Sequence, residues 1–193
     1  MWPSIDSGPD LELSVLVACR DDEERAGHVI RRVAEHLRAL GVRAEILAVD
    51  EGSADNTLPL CALLARELPE LRVIAGADVG RAFVRGAQVA RGHALLLLDA
   101  RTDPPLVAIA HALGRLAGDR TALALAGGHL LLHRTRTLKL HRSLVHHRDP
   151  RALARRVLFL ARLRRLAVDE AALPCRDGLL SRLRASLRAH PRF

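Results

Sequence analysis

Short apolar runs alternate with amphipathic segments along the first two thirds of the chain. Four runs of strand length lie at 11–18, 44–50, 71–76 and 93–99, and the segments between them have helical periodicity. An apolar run of this length bounded by turn residues is typical of a strand that is covered on both faces. The β-α-β-α-β-α-β order predicts an α/β fold, with a mostly parallel sheet and helices on both faces.

The segments between the runs predict three helices. The first covers 21–40: its apolar residues fall on one face, four acidic residues at 21–24 suit the positive end of the helix dipole, and Gly41 ends it. The second covers 58–68, and the third, which glycines open and close, covers 79–92. These helices supply the crossovers that parallel strands need.

The pattern is less regular after Pro105. The predicted elements there are a helix over 106–118, a strand or strand pair over 121–134 broken at Gly127 and Gly128, and basic helices over 149–168 and 177–190. No internal repeat is present, and a chain of 193 residues suits one domain.

Composition narrows the possible partners and compartments. The net charge is +8, but aromatic residues make up 2% of the chain and Tyr is absent, so there is no stacking surface for bases and nucleic acid is not a favoured partner. An anionic ligand and an anionic membrane surface stay open. No apolar stretch approaches the roughly 20 residues that span a bilayer. The first residues lack the pattern of a secretory signal, and the three separated cysteines suit reduced thiols, so we expect a cytoplasmic location.

Polar residues follow three of the predicted strands. Residues 50–53 (Asp-Glu-Gly-Ser) follow the second strand, Gly80-Arg81 opens the helix after the third, and Asp99 and Asp103 follow the fourth. Open α/β sheets bind ligands at the carboxyl ends of their strands. The alternative at the fourth strand is a turn rich in Asp and Pro that only ends it.

Four segments resemble, in chain order, the motifs of glycosyltransferase family 2, which has the GT-A fold. They are "ACRDDEE" (18–24), "VDEGSADNT" (49–57), "GRAFVRGAQVARG" (80–92) and "DARTDPP" (99–105). The resemblance covers about residues 13–113 and is nearest to the polyprenyl-phosphate (dolichyl-phosphate) sugar transferases. It implies a GT-A-like domain that binds a nucleotide-diphospho-sugar and transfers the sugar to an acceptor such as a polyprenyl phosphate.

The composition of the first residues and the resemblance together predict an organisation of the chain. Residues 1–12 are expected to be a flexible leader, and residues 13–126 the nucleotide-sugar-binding core. Residues 127–193 are expected to be a shortened, basic and mainly helical region of the same domain.

The residues that the resemblance assigns to the donor site are Asp50, Glu51, Gly80, Arg81, Asp99 and Arg101. In the family an Asp-x-Asp motif holds a divalent metal, but here the motif reads Asp99-Ala100-Arg101. A Mg or Mn ion would therefore depend on Asp99 and Asp103. Either Arg101 supplies positive charge to the diphosphate without a metal, or the site has decayed and Arg101 faces solvent. No catalytic residue is assigned.

Two functions of different class remain open at this point. One is sugar transfer from a nucleotide-sugar, and the other is a catalytically inactive relative that binds a nucleotide, a membrane surface or a protein. The altered Arg101 and the short second half favour the inactive relative, whereas the polar strand ends favour transfer. A homodimer or a membrane protein would complete the acceptor site.

The predicted basic helix at 151–168 is the feature that suggests a membrane surface as a partner. The arginine face of this helix either rests on anionic lipid at the inner face of the membrane or is an ordinary solvated surface. The first alternative makes the protein peripheral to the membrane, and the second gives the helix no partner.

Overall fold

A computed structural model describes most of the first half of the chain and isolated parts of the second. The described residues are 11–104, 106, 109, 113, 122–124, 130–133, 156 and 168–169. Among these residues, no helix has the length and apolar character to cross a membrane.

Seven strands and three helices have their bounds within the described part of the chain. In chain order they are β1 (Leu13–Cys19), α1 (Ala26–Ala39), β2 (Ala44–Asp50), α2 (Thr57–Glu67), β3 (Leu71–Ile74), α3 (Ala82–Val89), β4 (Ala94–Asp99), β5 (Ala122–Ala124), β6 (Leu130–His133) and β7 (Val168–Asp169). The predicted α/β class is confirmed.

The strands form one sheet in the order β3-β2-β1-β4-β6-β5-β7. The first four are parallel, and β6 runs antiparallel to both of its neighbours, β4 and β5. Because β7 is parallel to β5, β6 alone among these seven strands runs against the others. The predicted mostly parallel sheet is therefore confirmed, and the segment 121–134 contains the predicted pair of strands.

The two faces of the sheet bury separate apolar cores. Alternation along β1 sends Val15 and Val17 to the face covered by α1 and α2, and Leu16 to the face covered by α3. The helical residue Ile109 packs into the core on the α1 side. Continuous burial along β1, β2 and β4 explains why their sequences are nearly unbroken apolar runs.

Three predicted helices have wrong bounds. Helix α3 covers Ala82–Val89 rather than 79–92, because Gly80 has a left-handed φ of +76° and Ala90 is in an extended conformation. Helix α1 begins at Ala26 rather than at 21, because residues 21–25 form a loop whose side chains bond to a neighbouring loop. The predicted helix over 149–168 cannot include Val168, which begins β7, although Arg156 is helical. The rest of that helix with its arginine face, the helix at 177–190 and residues 1–10 lie outside the described residues.

Candidate functional site

The carboxyl ends of β1, β2 and β4 lie side by side. The register pairs Cys19 of β1 with Asp50 of β2, and Ala18 of β1 with Asp99 of β4. Since neighbouring strands are about 4.8 Å apart, Asp50 and Asp99 stand one strand to either side of β1. The strand order also reverses here, because β2 and β3 lie on one side of β1 and β4 on the other. Ligands of open α/β sheets bind outside the strand ends at such a reversal.

The loops that follow β1 and β2 are joined by reciprocal hydrogen bonds, in which side chains of each loop accept backbone N–H groups of the other. These bonds run from Asp21 N to Ser53 Oγ (3.1 Å), Asp22 N to Thr57 Oγ1 (2.7 Å), Glu23 N to Asp55 Oδ2 (3.1 Å), Ala54 N to Asp21 Oδ1 (2.7 Å) and Asn56 N to Glu23 Oε2 (2.9 Å). Asp21 has a φ of +52°, a left-handed conformation that non-glycine residues seldom adopt. The acidic run therefore ties two loops together instead of beginning helix α1.

Asp50 is buried, and its carboxylate bonds to the loop that it begins. Oδ2 accepts the backbone N–H groups of Gly52 (3.0 Å) and Ser53 (3.2 Å), and Oδ1 accepts the Ser53 hydroxyl. These donors compensate the cost of burying the charge. Asp50 thus fixes the turn at 51–53 beside the strand ends.

Glu51 and the Gly80-Arg81 pair meet at the start of helix α3. Glu51 Oε1 accepts the N–H of Ala82, the first residue of α3, at 2.8 Å, which the positive end of the helix dipole favours. Gly80 has a φ of +76°, and Arg81 Nη1 lies 3.7 Å from Asp78 Oδ2. The structure brings these three predicted site residues together, and Glu51 accepts the first N–H group of the helix.

Asp99 and Arg101 form a bidentate salt bridge within the altered Asp-x-Asp motif, which we call the Asp99–Arg101 fork. Arg101 donates its backbone N–H (2.9 Å) and its Nε–H (3.0 Å) to Asp99 Oδ1, and Nη2 (2.7 Å) to Oδ2. The Thr102 N–H and hydroxyl both donate to the Asp99 carbonyl, at 3.1 and 3.0 Å. Asp99 is 5% exposed, whereas the Arg101 side chain is 55% exposed. The fork joins a buried carboxylate to a guanidinium that reaches solvent.

Two further carboxylates lie within electrostatic reach of Arg101. Its hydrogen bonds to Asp99, and then the charges of Asp99, Asp22 and Glu51, raise the pKa of the guanidinium. Burial raises the pKa of Asp22, against the bond that its Oδ2 accepts from Arg20 N (2.7 Å) and the charge of Arg101. We call Asp22, Glu51, Asp99 and Arg101 the carboxyl-edge cluster.

The two carboxylates predicted to hold a metal each have an arginine partner. Arg101 forms the bidentate salt bridge with Asp99. The side chain of Asp103 is 93% exposed, and its Oδ1 lies 3.7 Å from Arg32 Nη1. Within 11–104 and the scattered described residues beyond, no three His, Cys, Asp or Glu side chains are grouped as a metal site requires. The described residues therefore do not fit a divalent metal at the altered motif.

Sequence reasoning missed one member of this site. Asp22 was assigned to the first turn of a helix, but it lies in the loop after β1, where Thr57 Oγ1 accepts its N–H and Arg20 N donates to its carboxylate. The available signal was its position just past β1, the strand between the two predicted acidic strand ends.

Comparison with known proteins assigns this architecture to a family. The model of glycosyl transferase family 2 matches residues 14–127, more than half of the chain. The chain therefore belongs to glycosyl transferase family 2. An uncharacterized glycosyltransferase of Synechocystis is 29% identical over 99 residues, which are 49% of this chain and 31% of that protein.

Solved structures show the same fold at low identity. A mannosyltransferase from Pyrobaculum calidifontis, in complex with GDP-Man and Mn²⁺, matches with a TM-score of 0.66 and 15% identity over 95% of this chain and 64% of its own. Glucosyl-3-phosphoglycerate synthase from Mycobacterium tuberculosis, with Mn²⁺, UDP and phosphoglyceric acid, matches with a TM-score of 0.62 and 17% identity over 92% and 75%. The chain thus spans under a third of the Synechocystis relative and under two thirds of the Pyrobaculum enzyme. The predicted GT-A fold is confirmed.

Proposed function

We propose that this chain binds a nucleoside-diphosphate sugar outside the carboxyl ends of β1, β2 and β4 and transfers the sugar to an acceptor. The observation that carries this proposal is the convergence of polar strand ends where the strand order reverses. Membership of the family and the nucleotide ligands of the solved relatives support the same ligand class.

The donor site has a distinct task for each group of residues. Asp50 fixes the turn at 51–53, and the bonds between the two loops fix the backbone on either side of it. The half-buried carboxylate of Glu51 and the buried carboxylate of Asp22 accept N–H and O–H groups of the base and ribose. The guanidinium of Arg101 faces the diphosphate, for which its planar donor set is suited.

The acceptor in this proposal is a polyprenyl phosphate at the inner face of the membrane, with the protein peripheral to it. A phosphate acceptor is ionised at neutral pH and needs no strong general base. A homodimer or a membrane protein would supply the remaining acceptor contacts.

The second candidate is a relative that has kept donor binding and lost transfer. The observation that favours it is the Asp99–Arg101 fork, which fills the position that the metal motif has in the family. Turnover separates the two candidates, because both bind the donor.

Calorimetric titration of UDP, GDP, UDP-glucose and GDP-mannose tests donor binding. Asp50→Ala removes the acceptor for three donors of the 51–53 turn, and we expect it to weaken binding about tenfold or more. Glu67→Gln is the matched control, because Glu67 pairs with the half-exposed Arg31 on the outside of α1 and α2. No binding of any nucleotide at millimolar concentration by the wild type would refute the proposal.

Product release then tests transfer. Release of UDP or GDP on addition of polyprenyl phosphate would support the enzyme, and tight donor binding without release would favour the inactive relative.

A further inference from the structure

The altered Asp-x-Asp motif carries its own counter-ion. Both carboxylate oxygens of Asp99 already accept N–H groups of Arg101, at 2.7 to 3.0 Å. A divalent cation at these oxygens would compete with a charge-assisted fork, which is among the stronger hydrogen-bonding arrangements in proteins. It would also meet the guanidinium charge at close range.

Among the described residues, the carboxylates near Asp99 are not grouped as a metal site requires. Asp103 extends into solvent beside Arg32, and the described residues hold no group of ligands for a metal. Hard cations such as Mg²⁺ and Mn²⁺ need several oxygen ligands in one place. The altered motif and Asp103 together do not provide them.

The same turn instead concentrates guanidinium groups. Arg25 Nη1 donates to the Arg101 carbonyl at 2.7 Å, which brings a second arginine from the β1–α1 loop onto the turn after β4. The Arg101 side chain is fixed by Asp99 on one side and more than half exposed on the other. A guanidinium fixed in this way has lost rotamer freedom before a ligand arrives, so less is lost on binding an anion.

We infer that the donor site works without a divalent metal, and that Arg101, fixed by Asp99, takes the place of the cation against the diphosphate of the nucleotide. This inference rests on the proposed donor binding and specifies how that binding is achieved. Asp99 is then a positioning residue: it binds Arg101 rather than the nucleotide.

The test is calorimetric titration of UDP and GDP in EDTA and in millimolar Mn²⁺, together with Mn²⁺ titrated alone. We expect the wild type to bind the nucleotide with dissociation constants that agree within about twofold in the two conditions, and to show no heat with Mn²⁺ alone. Arg101→Gln should weaken binding in EDTA about tenfold or more. Arg31→Gln, an exposed arginine on α1 that pairs with Glu67, should leave binding unchanged.

A second variant guards against misfolding. Arg101→Gln leaves the buried Asp99 carboxylate without its fork, so the double variant Asp99→Asn/Arg101→Gln removes both charges together. We expect the double variant to unfold at a temperature near that of the wild type. Its affinity for UDP and GDP in EDTA should be as weak as that of Arg101→Gln.

Three results would overturn the inference. Binding that is at least tenfold tighter with Mn²⁺ would show that a metal is used and would leave donor binding intact. Wild-type affinity in both Arg101 variants would remove the role of Arg101. No nucleotide binding in either condition would refute the donor proposal itself, and this inference with it.

Discussion

Two clusters built around acidic residues lie at opposite edges of the same sheet, one at each end of the strands. At the amino ends of the strands, Glu45 accepts Ser14 Oγ (2.7 Å), Arg72 Nη1 (2.8 Å), Arg91 N (2.6 Å) and Arg91 Nε (3.2 Å). We call these four residues, with Gly92 whose N–H donates to Ser14 Oγ at 2.8 Å, the amino-edge cluster. At the other edge, the carboxyl-edge cluster sets three carboxylates against the single guanidinium of Arg101.

The difference lies in how completely each charge is compensated. Burial raises the pKa of Glu45, but the bonds from Arg91, Ser14 and Arg72 outweigh it and the pKa is lowered. Burial dominates for Asp22, and its pKa is raised. A carboxylate with this many donors stabilises the fold, whereas a carboxylate whose pKa is raised by burial, at a strand-order reversal, marks a candidate ligand site. Burial alone therefore does not identify a site.

Gly92→Ala, which adds one carbon to the amino-edge cluster, should have the largest effect on stability. A Cβ at this position would lie 2.4 Å from the backbone N of Ser14 and 2.5 Å from the backbone C of Leu13, neither of which can rotate away. We expect the free energy of unfolding in urea to fall by about 3 kcal/mol. Gly41→Ala is the control: its Cβ meets nothing within 4 Å and the cost is the left-handed φ of +66°, about 1–2 kcal/mol. An equal loss in both variants would contradict the packing argument.

Glu45→Gln should have the next largest effect. Glu45 is 2% exposed, and the substitution removes its charge from between two arginines and leaves donors unsatisfied. We expect a loss of about 2 kcal/mol in urea unfolding, because both arginines are partly solvated. Glu67→Gln, which breaks an exposed pair with Arg31, should change stability by less than about 0.5 kcal/mol. Nucleotide affinity should be unchanged in both variants. A loss of affinity in Glu45→Gln would contradict the assignment of stability to the amino-edge cluster and of ligand binding to the carboxyl-edge cluster.

Asp99→Asn should show the opposite pattern. Its partner Arg101 is largely exposed and regains water when the fork is broken, so we expect a stability change below about 1 kcal/mol. Affinity for UDP or GDP should fall about tenfold, because Arg101 is no longer held in place. Calorimetry with chemical unfolding of the same samples measures both quantities, and a large stability loss with intact affinity would reverse the assignment.

The smallest effects are pH dependences of opposite sign. Because the folded pKa of Glu45 is lowered from 4.5, its stabilisation is present above that value and is lost as pH falls through the folded pKa. Because the folded pKa of Asp22 is raised from 3.8, its charge destabilises the fold increasingly as pH rises through and above 3.8.

The free energy of unfolding, measured between pH 3 and 7, reports the pH dependences that Glu45 and Asp22 cause. The advantage of the wild type over Glu45→Gln should shrink at low pH, while Asp22→Asn should gain stability relative to the wild type as pH rises. Parallel pH profiles for the two variants would contradict the assigned signs.

The sequence predicted the strand ends better than the loops that follow them. Strand β2 was predicted with its observed bounds at 44–50 because its apolar run and its terminal Asp50 are both local features. The acidic run at 21–24 was misread, since its partners at 53–57 lie more than thirty residues away and only the parallel register of β1 and β2 brings them close.

Long-range partners also explain the remaining omissions. Arg101 was visible as a departure from the motif, but the fork depends on the turn after β4. Glu45 gave no signal at all, because one of its donors, Arg91, is 46 residues away and just precedes β4.

The most direct test of the central claim is amide chemical-shift mapping of the ¹⁵N-labelled chain during titration with UDP or GDP. We predict that the amides whose chemical shifts change cluster at 20–25, 50–57, 80–82 and 99–102. The chemical shifts of the amides of the amino-edge cluster, at 14, 45, 72 and 91–92, should not change. Perturbations centred on the amino-edge cluster, or none at millimolar nucleotide, would contradict the assignment of the donor site to the carboxyl edge of the sheet.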